Sequence, residues 1–214
     1  GEGKTNIIEA LMYLALLSSH RISSDQPLIK LGSERAYIRA KIESNERTIL
    51  VELEINNGKA NRAKVNQNPV RSQKELLGLV KSVCFSPEDL DLVRGDPSER
   101  RSFLDQLLIQ QSPRLAGVIS DYERALKQRN SLLKSRAPES SLRSWSDHLA
   151  TFGGELIAGR IKLINQIEPL FQKAYKNLSA KKLAKLGYKS SIPAPSVEKE
   201  VNRELILKVI EEVR

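Results

Sequence analysis

The sequence predicts an α/β protein with a mixed N-terminal part over residues 1–112, an α-helical arm lobe over 113–192, and the start of a return over 193–214. Three observations predict it. A Gly-Lys-Thr turn at residues 3–5 opens directly into apolar positions at helical spacing. Two segments of alternating character then run into the turn signal Asn57-Gly58. From Pro113 onward, apolar residues recur every three to four positions through two long stretches.

In chain order, Ile7, Ile8, Leu11, Leu14 and Ala15 mark a helix over 6–17, followed by a polar loop with His20, Arg21 and Pro27. Ala36–Ile42 and Thr48–Ile55 read as strands, with Ile49, Val51, Leu53 and Ile55 facing one way. Asn57-Gly58 leads into Ala60–Val65 and a further turn at Asn66–Pro69, which makes an antiparallel meander. Residues 73–80 read as a short helix and Ser82–Phe85 as a short buried strand. Asp96 can cap the next helix, Pro97 suits its first position, and Glu99 completes an arrangement like a capping box. Phe103, Leu104, Leu107 and Leu108 share one face of that helix.

In the arm, Leu115, Val118, Tyr122, Ala125, Arg129 and Leu132 run to about Lys134, and Ala137–Ser141 reads as a turn. Leu142, Trp145, Leu149, Phe152 and Leu156 resume the spacing, so the two helices form an antiparallel hairpin with Trp145 and Phe152 as packing residues. Gly153-Gly154, Gly159 and Pro169 are points that weaken the second helix and can kink it. Leu183–Ser191 reads as a strand and Val197–Val213 as an amphipathic helix.

Composition bounds the partners. With 40% apolar and 29% charged residues, the 214-residue chain is an ordinary globular one. No apolar run approaches the ~18 residues that span a bilayer, and the first residues do not form a secretory signal. Cys84 is the single cysteine, so an intrachain disulfide and a cysteine metal cluster are excluded; between Val83 and Phe85 it reads as a small core residue. These features point to a cytoplasmic protein without membrane association. The net charge of +9 is concentrated: residues 121–189 carry 14 Lys/Arg against 6 Asp/Glu. That asymmetry suits a polyanionic partner, although a solvated basic helix face has the same composition.

Gly1-Glu2-Gly3-Lys4-Thr5 matches the end of a phosphate-binding loop, G-x-x-x-x-G-K-S/T, followed by the required helix. Glycines let successive backbone N–H groups turn around a phosphate, and the helix N-terminus adds partial positive charge. Lys4 is placed to reach the β- and γ-phosphates and the Thr5 hydroxyl to ligate Mg2+. A Gly-Lys-Ser/Thr triplet arises by chance in roughly 10% of chains this long, so a glycine-rich tail is the competing reading until a second match is found.

That match is the segment Pro87-Glu88-Asp89-Leu90-Asp91-Leu92-Val93-Arg94-Gly95-Asp96-Pro97-Ser98-Glu99-Arg100-Arg101-Ser102-Phe103-Leu104-Asp105. It resembles the signature of RecF proteins at Pro87, Glu88, Gly95, Asp96, Pro97, Arg100, Arg101 and Phe103. Gly3-Lys4-Thr5-Asn6 with Glu9-Ala10 is similar to the same family's phosphate loop, and Tyr122-Glu123-Arg124-Ala125-Leu126-Lys127-Gln128-Arg129-Asn130 resembles its first arm segment. The resemblance implies a P-loop ATPase head of the ABC/SMC type with an inserted helical hairpin. It also implies ATP held between two heads with Mg2+, with Gly1 to Asn6 as the nucleotide residues. An ATP-induced dimer would clamp single-/double-strand DNA junctions and assist RecA loading with RecO and RecR. In such heads an arginine after the first helix stands near the γ-phosphate, which nominates Arg21; a solvated loop residue is the alternative. Glu88 is a candidate nucleotide sensor. Arg100 and Arg101 can contact another lobe, nucleotide or DNA, or form salt bridges to Asp105 or Glu99.

For DNA, the candidates are Arg124, Lys127, Arg129, Lys134 and Arg136 on the first arm helix and Lys181 and Lys182 after the second, with Lys173, Lys176, Lys185 and Lys189 beside them. Such residues contact phosphates without base readout. Hydrolysis in this class also needs an aliphatic strand ending in Asp-Asp/Glu and a Ser-Gly signature motif, and neither occurs in these residues. Val209-Ile210-Glu211-Glu212 imitates the first, but Leu205, Ile206, Val209 and Val213 make a helix of it. The chain is therefore expected to be a fragment that does not hydrolyse ATP alone, with a weak, DNA-stimulated ATPase in the full-length protein. Two other readings stay open: a small P-loop kinase, against which the arm helices argue, and a basic helical DNA-binding module without nucleotide dependence.

Overall fold

The computed structural model describes residues 3–19, 22, 24–44, 47–179, 183–190 and 203–212, which fall into two compact units, 1–113 and 114–214.

In the first unit, helix α1 (Lys4–Leu16) lies against a four-stranded antiparallel sheet of order β1-β2-β3-β4: β1 (Arg35–Ser44), β2 (Arg47–Asn56), β3 (Arg62–Val65) and β4 (Asn68–Pro69). The register sets Ile38 opposite Leu53 and Ala40 opposite Val51. Because strand side chains alternate, Val51, Leu53 and Ile55 all point inward and are buried against Tyr13 and Leu14 of α1. Each such aliphatic side chain contributes about 1.5–3 kcal/mol of burial. The outer face is laced instead with charge: Arg39 meets Glu52 at 2.9 Å and Arg35 meets Glu54 at 3.5 Å. The other side of α1 buries Met12, Ala15 and Leu16, with Val80 and Cys84 packed on them.

Residues 82–86 correct the expectation of a buried strand. Ser82 N donates to Gln110 Oε1 at 2.7 Å and Ser82 Oγ meets Met12 Sδ at 3.2 Å, while Val83 and Phe85 are more than 80% exposed. The segment pairs with no strand among the described residues, so its alternate apolar side chains face outward. Residues 73–76 make one 3-10 turn rather than a helix to residue 80. Beyond the 3-10 turn Pro87–Leu90 come α2 (Asp91–Arg94) and α3 (Pro97–Gln111).

The second unit is an antiparallel pair, α4 (Leu115–Lys134) and α5 (Glu139–Leu178), with α6 (Arg203–Glu212) packed on α5. Gly153-Gly154, Gly159 and Pro169 do not interrupt α5, which runs unbroken for 40 residues. Gly153 explains part of this: a Cβ there would lie 3.2 Å from Tyr122 Cε2, so the glycine admits the ring of α4. The close approach offsets the roughly 1 kcal/mol helix penalty of a glycine. Trp145 and Phe152 are half-buried, and His148 stands between them with ring centroids 5.7 and 6.1 Å away. Residues 183–190 are irregular rather than a strand, with alternate exposure. Val209 to Glu212 lie in α6, helical as their spacing predicts, and Ile206 is its buried anchor.

Candidate nucleotide site and nucleic-acid face

α1 begins at a left-handed glycine. Gly3 stands at the N-cap with φ 94° and ψ −18°, and the first helical hydrogen bond runs from Ile7 N to its carbonyl at 3.1 Å. A Cβ at Gly3 meets nothing within 4 Å, so the backbone angle, not space, requires glycine. No side chain caps this end and no acidic residue occupies the first turn. Among the described residues no side chain caps the amides of Lys4, Thr5 and Asn6, and the positive end of the helix dipole lies behind them. Lys4, Thr5 and Asn6 are exposed. This donor set fits a phosphate chain, and a hydroxyl beside it fits Mg2+. Gly1, Glu2 and Arg21 lie outside the described residues, as do Lys181 and Lys182.

The 87–105 segment builds a self-contained corner. Ser86 N donates to Asp89 Oδ2 at 2.6 Å, closing the turn at Pro87; nothing is described of the Glu88 side chain. Gly95 sits so close to α2 that a Cβ would come 2.6 Å from Asp91 O. Asp96 accepts from Ser98 N at 2.8 Å and Pro97 takes the first helical position. That amide, with Arg101 and Arg100 nearby, holds the Asp96 carboxyl below the usual carboxylate range. Arg100 Nη1 donates to Leu92 O at 3.1 Å and Gly95 O at 3.2 Å. Through these contacts the guanidinium ties α3 back to α2. Arg101 is exposed, and Phe103 is 39% exposed.

A cavity of about 320 Å³ lies among α1, residues 82–86 and α3, lined by Ser82, Ser86, Asp89, Glu99 and Gln106 among others. Among the described residues, no Lys or Arg lines it.

On the arm, Arg124, Lys127, Lys134 and Arg136 are exposed, Arg124 with Asp121 at 3.6 Å. Arg129 is a correction. It is buried, donating from Nε to Ser146 Oγ at 3.1 Å and from Nη2 to Ile210 O at 2.9 Å. Its position in the run of Ala125, Arg129 and Leu132 had placed it on the packing face, and that periodicity outweighs its charge. Lys173, Lys176, Lys185 and Lys189 are exposed. Sequence reasoning missed a polar cluster behind α1, in which Asn61 Nδ2 donates to Asp25 Oδ2 at 2.8 Å beside the Tyr13 hydroxyl. Only the isolated polar tip of Tyr13 within an apolar helix could have signalled it. No helix among the described residues is long and apolar enough to cross a membrane.

No family model matches the chain. Among curated proteins it is 48% identical over 226 residues to the DNA replication and repair protein RecF of Streptomyces avermitilis, covering 100% of this chain and 60% of that protein. RecF of Kineococcus radiotolerans is 49% identical over 202 residues, covering 90% and 52%. A solved structure of the recombination mediator protein RecF-ATPrS in the RecFOR pathway superimposes with a TM-score of 0.89 at 27% identity, covering 99% of this chain and 58% of that one. The RecF-ATP structure of the same pathway gives 0.87 at 28%, covering 98% and 58%. The fold is thus the α/β P-loop ATPase type of ABC/SMC heads with a helical lobe. Spanning about 60% or less of the length of the relatives it matches, the chain belongs to the RecF family.

Proposed function

We propose that this chain supplies the phosphate-binding part and the DNA-contacting arm of an ATP-dependent protein of recombinational DNA repair and replication. The observation that carries the reading is the uncapped N-terminus of α1 behind left-handed Gly3, with Lys4 and Thr5 in its first turn. Support comes from the family and from solved relatives described as RecF-ATP and RecF-ATPrS. In this reading Gly1 to Asn6 cradle the phosphates, Lys4 neutralises the terminal ones, and Thr5 ligates Mg2+. Arg21 meets the γ-phosphate. ATP joins two copies, and the dimer holds a single-/double-strand DNA junction in the cytoplasm, with RecO and RecR proteins as partners in RecA loading.

Arg124, Lys127, Lys134, Arg136, Lys181 and Lys182 contact phosphates along the arm, each adding about 0.9 to the salt slope of binding. Arg129 is no longer among them. Equilibrium binding of a fluorescent ATP analogue to the full-length protein tests the site. Lys4→Met should weaken binding by about 10-fold or more, and Thr5→Ala should abolish its Mg2+ dependence. Unchanged binding in both variants would favour a basic DNA-binding module without nucleotide dependence.

A further inference from the structure

The outer face of the sheet carries cations that its own ion pairs leave over. In the strand register Arg39 stands opposite Glu52 and Glu52 opposite Lys64, so these three side chains share one face. The next row on that face is Tyr37, Glu54 and Arg62. Both carboxylates are engaged from the β1 side, Glu52 by Arg39 at 2.9 Å and Glu54 by Arg35 at 3.5 Å. On the β3 side Arg62 and Lys64 are exposed and make no ion pair among the described residues, and the same holds for Arg71 just beyond β4. These three cations line one groove of about 510 Å³ together with Tyr37, Arg39 and Ser72.

Tyr37 sets this face apart from an ordinary solvated one. The ring is 51% exposed within a charged row, and it is held in place. The Arg39 guanidinium lies 5.3 Å from its centroid, and Arg35 Nη1 donates to its hydroxyl at 3.5 Å. An aromatic side chain fixed in this way loses little further freedom when a ligand stacks on it, and a guanidinium plane can itself stack on a base. Tyr37 and Arg62 are two strand spacings apart, about 10 Å, a distance that a nucleotide spans from base to phosphate. Arg62 and Lys64 are two residues apart on one strand, roughly 7 Å, which is close to the step between successive phosphates of a single strand. Glu52 and Glu54 repel phosphate from β2 and direct the backbone toward β3.

We propose that the outer face of this sheet is a platform for single-stranded DNA, with phosphates on Arg62, Lys64 and Arg71 and a base against Tyr37 and Arg39. A duplex keeps its base faces in its own stack and needs cations alone, whereas a single strand also offers π faces. The exposed ring beside the cations therefore selects the single strand. The inference rests on the reading of the protein as DNA-binding, and not on the arm contacts or the nucleotide site.

The test measures binding of a labelled oligothymidylate and of a blunt duplex to the full-length protein across a salt series. The variants replace exposed side chains, so their thermal melts should match wild type. Tyr37→Leu should weaken oligothymidylate binding about 5- to 10-fold, and Tyr37→Phe should keep it. Arg62→Gln/Lys64→Gln should lower the salt slope for the oligothymidylate by about 1.4, or about 0.7 per phosphate. Duplex affinity should stay within about 2-fold of wild type in each variant. If Tyr37→Leu and Arg62→Gln/Lys64→Gln both bind the oligothymidylate with wild-type affinity and slope, the platform is overturned. Loss of duplex binding in Lys127→Gln/Lys134→Gln would then leave the DNA reading standing without it. Equal losses for duplex and single strand in the sheet variants make the face a general phosphate contact and also overturn the platform. If neither sheet nor arm variants alter any DNA binding, the DNA reading fails and this inference with it.

Discussion

The guanidinium of Arg129 on α4 donates at 2.9 Å to the carbonyl of Ile210, 81 residues on and in the last turns of α6. Those carbonyls carry the negative end of the helix dipole, so the contact joins a fixed cation to the end of α6. Arg129→Met leaves the carbonyl and Ser146 Oγ without this donor in a buried place, at a cost of about 2–4 kcal/mol. Hydrogen exchange should quicken in α6 more than in α4 or α5, with the salt slope of DNA binding unchanged. A slope reduced by about 0.9 with α6 exchange unaltered would return Arg129 to the phosphate contacts.

Arg136 makes the opposite trade. It sits at φ 54° just past α4, where Ala137 N reaches Leu132 O at 3.0 Å and Arg136 N reaches Leu133 O at 3.1 Å. This is the hydrogen-bond pattern of a helix end that ordinarily takes glycine. Arg136→Gly should therefore raise stability by roughly 0.5–1 kcal/mol in a thermal melt while weakening DNA binding in a salt titration. Loss of both would place Arg136 in the fold alone.

Asp96 predicts a pH dependence. The Ser98 amide, aided by Arg101 and Arg100, depresses its pKa in the folded state. Its contribution is then present above the unfolded carboxylate value of about 4 and disappears as pH falls through the lower folded value. The stability gap between wild type and Asp96→Ala should be constant from neutral pH to about 5 and shrink below that. A gap that widens on acidification would contradict the cap.

Much of this was legible in the residues because the signals were local. The alternation of Val51, Leu53 and Ile55, the Asn57-Gly58 turn and the Asp96-Pro97 helix start each name a structure within a few positions. The same holds for Gly3-Lys4-Thr5. What the residues did not declare depends on distant partners. Val83 and Phe85 read as a buried strand because β-branched and aromatic residues alternate there, yet burial needs neighbours. Gly153 read as a weak point, whereas Tyr122 across the hairpin makes it a contact. Arg129 read both ways, as a member of the packing run by its spacing and as a phosphate contact by its charge, and its carbonyl partner lies in distant α6. The Tyr13–Asp25–Asn61 cluster joins three segments far apart in sequence, and no spacing rule connects them.

The central claim is that α1 presents its N-terminus to ATP and that nucleotide controls assembly on DNA. The most direct test is sedimentation of the full-length protein and its Lys4→Met variant with junction DNA, with and without Mg-ATP. The wild type should become a DNA-bound dimer only with Mg-ATP, while Lys4→Met stays monomeric. Identical sedimentation of the two proteins with ATP would contradict the claim and leave a basic DNA-binding module in its place.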